Sequence, residues 1–275
     1  MDLGGRMVWT QCTEPRPFAA QRVVCFPHAG GSPYFFRGWG KALTDFEVHA
    51  VCYPGRAERI TESPATDILS MARHITGAVK ELMSDGRPTA LFGHSMGAIV
   101  AYEVAAALEG EGFELSHFFA SGARAPHLMR PDLAADTTWD DKAVAATLVE
   151  LGGTDAELLQ NPTFVDLVMP YIRADFRMLA SYAPPERAQL SSAVTAVLGD
   201  ADPRVTAQQA SAWRESTRGP FRMRTVPGGD HFYLAEHPPF DVIEECVSGA
   251  GGSRGSSRSR GSSGASHVRG SNGSS

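Results

Sequence analysis

The chain has 275 residues, 43% of them apolar, with 25 basic and 31 acidic residues for a net charge of −6. That length suits one large α/β domain or two small ones, and the apolar share is enough for a sizeable core. Four arginines, Arg254, Arg258, Arg260 and Arg269, sit in an acid-free final stretch, leaving 21 basic against 31 acidic residues ahead of it, a balance that argues against a nucleic-acid-binding body.

No run approaches the roughly 18 apolar residues of a membrane span, and the first residues, with Asp2 and no apolar core, do not read as a signal peptide. Cys12, Cys25, Cys52 and Cys246 form no C-x-x-C pair, so free thiols are expected. Together these features lead to the expectation of a cytoplasmic protein.

Residues 1–20 read as an irregular lead-in, with Pro15 and Pro17 blocking regular structure. Arg22 to Phe26 is a short buried strand, followed by the loop Pro27-His28-Ala29-Gly30-Gly31-Ser32 and an aromatic helix carrying Tyr34, Phe35, Phe36 and Trp39. The loop lacks the lysine and glycine spacing of a phosphate loop. His28 has no partner at ligand spacing and reads as shaping the loop. Glu47 to Cys52 is the next strand, ending in Tyr53-Pro54-Gly55-Arg56. Ile68, Met71, Ile75, Val79 and Leu82 recur at helical spacing over 67–83, and Gly86 and Pro88 stop that helix.

Ala90 to Phe92 is an apolar strand that runs at once into Gly93-His94-Ser95-Met96-Gly97 and then a helix. Strand, sharp turn and helix with a serine at the apex describe a nucleophile elbow, in which the hydroxyl projects above the sheet edge. The N–H of Met96, at the helix start, then faces the site where an oxyanion forms. The glycine loop after the first strand is where the second donor is expected, and Ala29 is the candidate.

His117 to Ser121 is another strand. From about 126 to 190 the pattern turns helical, with segments 139–151, 154–160 and 161–182, the last containing Pro170, where a kink is expected. A helical insertion within a strand–helix alternation reads as a lid. Phe176 and Leu179 on its long helix are expected to line a substrate channel beneath that lid. Ala193 to Leu198 is a strand ending in Gly199-Asp200-Ala201-Asp202-Pro203, and Thr206 and Gln209 are spaced as a capping box. Strand 221–226, the loop Pro227-Gly228-Gly229-Asp230-His231-Phe232 and a helix over 239–247 complete a domain spanning 21–247. The Gly/Ser/Arg stretch over 248–275 is expected to be disordered, having almost nothing to bury. The expected fold is a mostly parallel central sheet with helices on both faces and a helical lid insertion, the α/β-hydrolase fold.

A serine hydroxyl needs a base within hydrogen-bond reach, and the base needs a carboxylate. The order Ser, Asp, His, each on a loop after a strand, points to Ser95 and His231. Asp200 and Asp202 both follow the strand ending at Leu198. The G-x-x-D spacing favours Asp202, and Asp230 is too close in sequence to His231 to reach its ring.

The motifs Phe26-Pro27-His28-Ala29-Gly30-Gly31, Tyr53-Pro54-Gly55-Arg56, Gly93-His94-Ser95-Met96-Gly97, Gly199-Asp200-Ala201-Asp202-Pro203 and Gly228-Gly229-Asp230-His231-Phe232 occur together. So do Leu151-Gly152-Gly153-Thr154 and Tyr171-Ile172-Arg173-Ala174-Asp175-Phe176. Over about 20–247 the chain resembles the type II, external thioesterases of polyketide and non-ribosomal peptide synthases. The resemblance implies an editing hydrolase that clears stalled or aberrant acyl groups from the phosphopantetheine arm of acyl or peptidyl carrier domains. It also implies Ser95, Asp202 and His231 as the triad and Ala29 and Met96 as oxyanion donors. A monomer with no metal, no organic cofactor, no nucleic acid and no membrane partner is expected. Two other readings stand beside it: a small-molecule carboxylesterase or lipase, which usually carries H-G-G-G where this chain has His28-Ala29-Gly30-Gly31, and a catalytically silent ligand receptor on the same fold.

Overall fold

The computed structural model describes residues 9–150, 160–186 and 188–248. Nearly all of the expected helix over 154–160 and the tail beyond Ser248 lie outside the described residues. The sheet is built from β1 (Thr10–Gln11), β2 (Gln21–Phe26), β3 (Phe46–Val51), β4 (Thr89–His94), β5 (His117–Ser121), β6 (Val194–Gly199) and β7 (Phe221–Val226). The helices are α1 (Trp39–Ala42), α2 (Ile68–Met83), α3 (Met96–Gly110), α4 (Ala135–Thr138), α5 (Asp141–Glu150), α6 (Pro162–Ser181), α7 (Ala207–Ser211) and α8 (Phe240–Ser248).

The strands lie in the order β1-β3-β2-β4-β5-β6-β7, all pairs parallel except β1 with β3. Every residue of β3 to β6 is buried, as parallel strands covered on both faces require. Successive side chains point to opposite faces. Val24, Phe26 and Leu91 therefore pack with α2, α3 and Trp213, while Val23, Cys25, Ala90 and Phe92 pack with Trp39 and with Val242 and Ile243 of α8.

Two local expectations need correction. The lead-in is not wholly irregular, because Thr10 and Gln11 pair with Val51 and Ala50 as an antiparallel edge strand. Two residues carry no periodic signal; the edge of β3 supplies their pairing. The aromatic helix is a 3-10 turn (Pro33–Phe36) followed by the four residues of α1. Its rings serve packing instead, with Trp39 edge-on to Phe36 and Phe92, both with centroids 4.9 Å away.

The insertion between β5 and β6 holds α4, α5 and α6. Asp140 accepts the Ala143 N–H at 2.8 Å, so α5 starts after Trp139 and leaves its indole free to stack on Phe176 of α6 at 4.8 Å. Asn161 caps α6 by accepting the Phe164 N–H, and the helix runs through Pro170. The Thr206–Gln209 capping box is formed at the start of α7.

Because β2 leads to β3 on one side and β4 leads to β5 on the other, the chain reverses its winding between β2 and β4. Loops leaving adjacent strand ends there open a crevice, the usual ligand position in such sheets. The loop 27–32 and Ser95 leave that point together, since Phe26 lies opposite Gly93.

Candidate active site

Ser95 adopts φ 54° and ψ −120°, in the left-handed region that a non-glycine residue rarely occupies. The neighbouring glycines explain how the turn is held. A Cβ on Gly93 would lie 2.3 Å from the Gly97 carbonyl oxygen, and one on Gly97 would lie 2.1 Å from that of Phe26. The start of α3 is thus pressed against the end of β2, and Ser95 N–H donates to Ser121 O at 2.8 Å. Strain at the apex is offset by close packing around it.

Ser95 Oγ lies 3.0 Å from His231 Nε2, and His231 Nδ1 lies 2.9 Å from Asp202 Oδ2. The Asp202 side chain is fully buried and that of His231 nearly so. Asp202 Oδ1 also accepts the Arg204 N–H at 2.7 Å, which holds the carboxylate in place. Asp200 points elsewhere: its Oδ1 takes the Gly228 N–H at 2.6 Å. Asp230 is exposed and bonds the Phe232 N–H. Of the three acids considered from sequence, only Asp202 meets His231.

Ala29 lines the same cavity as Ser95 and His231. Among the described residues, neither the Ala29 N–H nor the Met96 N–H donates to a protein acceptor. The cavity measures about 320 Å³, and Phe176 and Leu179 of α6 border it with Trp139 and Leu148. Arg124 and Arg204 line it too, and among the described residues neither guanidinium has a hydrogen-bonding or carboxylate partner.

A buried set that sequence reasoning missed lies beneath His231. His94 Nδ1 is 2.8 Å from Ser121 Oγ, which is 2.6 Å from the Tyr233 hydroxyl. The His94 ring sits 5.4 Å from that of His231. Burial, and then the nearness of His231, hold His94 well below the ordinary imidazole pKa, so it stays neutral. Burial likewise keeps the Tyr233 phenol protonated. The signal was present in the sequence as the variable residue of G-x-S-x-G and the second residue after His231, but nothing local links those positions. His28 packs edge-on to Phe35 and Phe232, both at 4.8 Å, and burial and His231 push its pKa down to about 3.

Cys12, Glu47 and His49 form one group of metal-type donors within 4.8 Å of one another among the described residues. Glu47 is already engaged there by Arg22 and Arg87, each at 3.1 Å, at the sheet end away from Ser95. It reads as an ion-pair network. No helix among the described residues is long and apolar enough to cross a membrane.

The arrangement can carry out acyl transfer: a strained serine, a base, an oriented carboxylate, two free N–H groups and an apolar chamber. A family model described as the thioesterase domain matches residues 21–248. The chain is similar to the thioesterase PikA5 of Streptomyces venezuelae, at 39% identity over 82% of this chain and 80% of that one. Among solved structures it is similar to the type II thioesterase BorB from the borrelidin biosynthetic cluster, with 35% identity, TM-score 0.78, and coverage of 87% of this chain and 97% of that one. It is also similar to RedJ, the thioesterase of the prodiginine pathway in Streptomyces coelicolor, with 37% identity, TM-score 0.75, and coverage of 84% and 86%.

Proposed function

The chain belongs to the thioesterase-domain family, and from that premise we propose the following course of reaction at Ser95. It is a type II thioesterase of the α/β-hydrolase fold, related to those that hydrolyse acyl groups from carrier proteins in polyketide and non-ribosomal peptide pathways. Ser95 Oγ attacks the thioester carbonyl while His231 Nε2 takes its proton, and Asp202 holds the imidazole tautomer and steadies its charge. The carbonyl oxygen becomes an oxyanion that the N–H groups of Ala29 and Met96 receive. Collapse of the adduct breaks the carbon–sulfur bond, His231 protonates the pantetheine thiolate, and an acyl-Ser95 remains. Water then attacks that ester, gives its proton to His231, and the free acid leaves with Ser95 restored. No step calls on a metal or an organic cofactor.

The observation that carries this reading is the Ser95–His231–Asp202 hydrogen-bond chain at a strained elbow beneath a helical roof. The cavity supports a carrier-bound substrate in particular. Its apolar wall, with Phe176 and Leu179, suits an acyl chain, and Arg124 and Arg204 suit the phosphodiester at the far end of a pantetheine arm. In this reading the enzyme works as a monomer in the cytoplasm, editing stalled or aberrant chains. Its four free cysteines suit a reducing compartment.

The test compares acyl groups on a carrier protein with the same groups on a truncated thiol and on matched oxygen esters. A higher kcat/KM on the carrier supports the editing role, because contacts to the arm hold the thioester near Ser95. Equal values on the two thiols, with faster oxygen-ester hydrolysis, would identify a general esterase instead.

A further inference from the structure

Two motifs singled out in the sequence have no place in the chemistry above: Tyr53-Pro54-Gly55-Arg56, after β3, and Tyr171-Ile172-Arg173-Ala174-Asp175-Phe176, in α6. The fold brings them together beside the Ala29 loop. Arg56 and Asp175, 119 residues apart, form a two-pronged ion pair, with Arg56 Nη2 donating to Asp175 Oδ1 at 2.8 Å and Nη1 donating to Oδ2. Both side chains are only 1% exposed. The Arg56 guanidinium also lies over the Tyr171 ring, 4.6 Å from its centroid.

A buried ion pair of this kind contributes little net stability over an apolar pair of similar volume. Its further bonds show what it does instead. Asp175 Oδ2 accepts the Gly30 N–H at 2.8 Å, and Arg56 Nη1 reaches the Gly31 carbonyl at 3.3 Å. Gly31 N–H in turn donates to His28 O at 2.9 Å, and the Tyr53 hydroxyl donates to Pro27 O at 3.1 Å. The His28 carbonyl and the Ala29 N–H share one peptide plane and point in opposite directions across it. Pinning the carbonyl through Gly31 therefore aims the Ala29 N–H. Gly30, whose N–H is committed to Asp175, has φ +77°, and a Cβ on it would lie 3.1 Å from Ile172 of the same helix.

We propose that Arg56 and Asp175 are positioning residues that aim the Ala29 N–H at the oxyanion, so that oxyanion stabilisation depends on α6 being seated over the site. The inference rests on Ala29 being the oxyanion donor. It ties the roof of the cavity to the chemical step, and not merely to the size of the acyl chamber. A substrate whose acyl group displaces α6 is then turned over slowly even when it binds.

The decisive variant replaces both partners, Arg56→Met with Asp175→Leu, so that no buried charge is orphaned. It is compared with wild type in melting temperature, in kcat and KM on a short acyl thioester of a truncated thiol, and in affinity for a trifluoromethyl ketone, which forms a tetrahedral oxyanion on Ser95. The expected result is a melting temperature within a few degrees of wild type and KM within about threefold. The expected fall in kcat is on the order of 10²-fold, the size seen when one oxyanion donor is lost, with a matching fall in ketone affinity. A second variant, Arg56→Lys, keeps the charge but has no planar fork to hold Asp175 and Gly31 together. It is expected to lose about tenfold in kcat and in ketone affinity alike. Wild-type kcat in either folded variant overturns the proposal, and so does a fall in kcat with ketone affinity unchanged. None of these measurements uses a carrier protein, so a wild-type enzyme indifferent to the carrier would refute the editing role and leave this comparison readable.

Discussion

His231 Nδ1 lies 2.9 Å from Asp202 Oδ2, while Asp200, two residues earlier, takes the Gly228 N–H and closes the histidine loop from below. One carboxylate is bonded to the His231 ring and the other to the loop that carries it. Asp202→Asn is therefore expected to lower kcat on the order of 10⁴-fold by favouring the wrong imidazole tautomer. Asp200→Asn should cost less than about tenfold, since an amide oxygen still accepts one N–H bond. Steady-state kinetics on an acyl thioester separate the two, and a reversed order would reassign the acid.

Ser95→Ala is expected to abolish labelling by a fluorophosphonate probe and to lower turnover by about 10⁴-fold or more. Its melting temperature should match wild type, because the φ of 54° is imposed by packing around Gly93 and Gly97 rather than by the hydroxyl. Residual turnover near the wild-type rate would place the nucleophile elsewhere.

Arg124 and Arg204 have no carboxylate partner among the described residues, although the chain as a whole carries an excess of acids. Such groups are available to an anionic arm. Replacing both with alanine is expected to raise KM for an acyl-carrier protein roughly tenfold, about 1.4 kcal/mol. The same acyl group on a thiol without a phosphate should be hydrolysed as before. The carrier effect should also shrink at high salt, as expected of an attraction between solvent-accessible charges. An equal loss on both substrates would place these arginines in the fold or the acyl chamber.

Three buried imidazoles predict how stability depends on pH. Burial lowers the pKa of His117 from 6.5 to about 4 and that of His28 to about 3, and holds His94 well below the usual range. Below the unfolded value near 6.5 the unfolded chain takes up protons that the folded chain refuses, so stability falls as the pH drops from 6.5 towards the folded values. His117 opens β5 and is bonded across to Thr195 Oγ1 of β6 at 2.8 Å, at the strand end away from Ser95. His117→Gln should therefore lose less stability than wild type between pH 7 and pH 4.5, by on the order of 2 kcal/mol. Identical acid profiles for the two proteins would show that His117 titrates normally.

Ser95 was legible because its constraint is local. The clash that demands Gly93 arises between the end of β4 and the helix start next to it, within one short motif, whereas Gly97 is required by the close approach of Phe26 at the end of β2. His231 followed from its order along the chain and its loop after the last strand. Spacing favours Asp202, but both acids lie on one loop, and only the tertiary bonds separate them: Asp202 Oδ2 meets His231 Nδ1, while Asp200 Oδ1 takes the Gly228 N–H. His94, Ser121 and Tyr233 carry no shared local signal because the ends of β4 and β5 and the segment after β7 supply them, and only the register between β4 and β5 sets His94 opposite Ser121.

The amino-acid sequence by itself determined most of the elements, the elbow, the helical insertion and the family likeness, because each is written in hydrophobic period, turn residues and contiguous motifs; the two-residue β1 and the 3-10 turn at Pro33–Phe36 carry no such period. Tertiary structure alone decided the strand order that sets loop 27–32 beside Ser95, and the meeting of Arg56 with Asp175 and Gly30. Those contacts join segments up to 145 residues apart. No local preference encodes such pairings; they form only once the sheet has stacked its strands and the roof helix has lost its water.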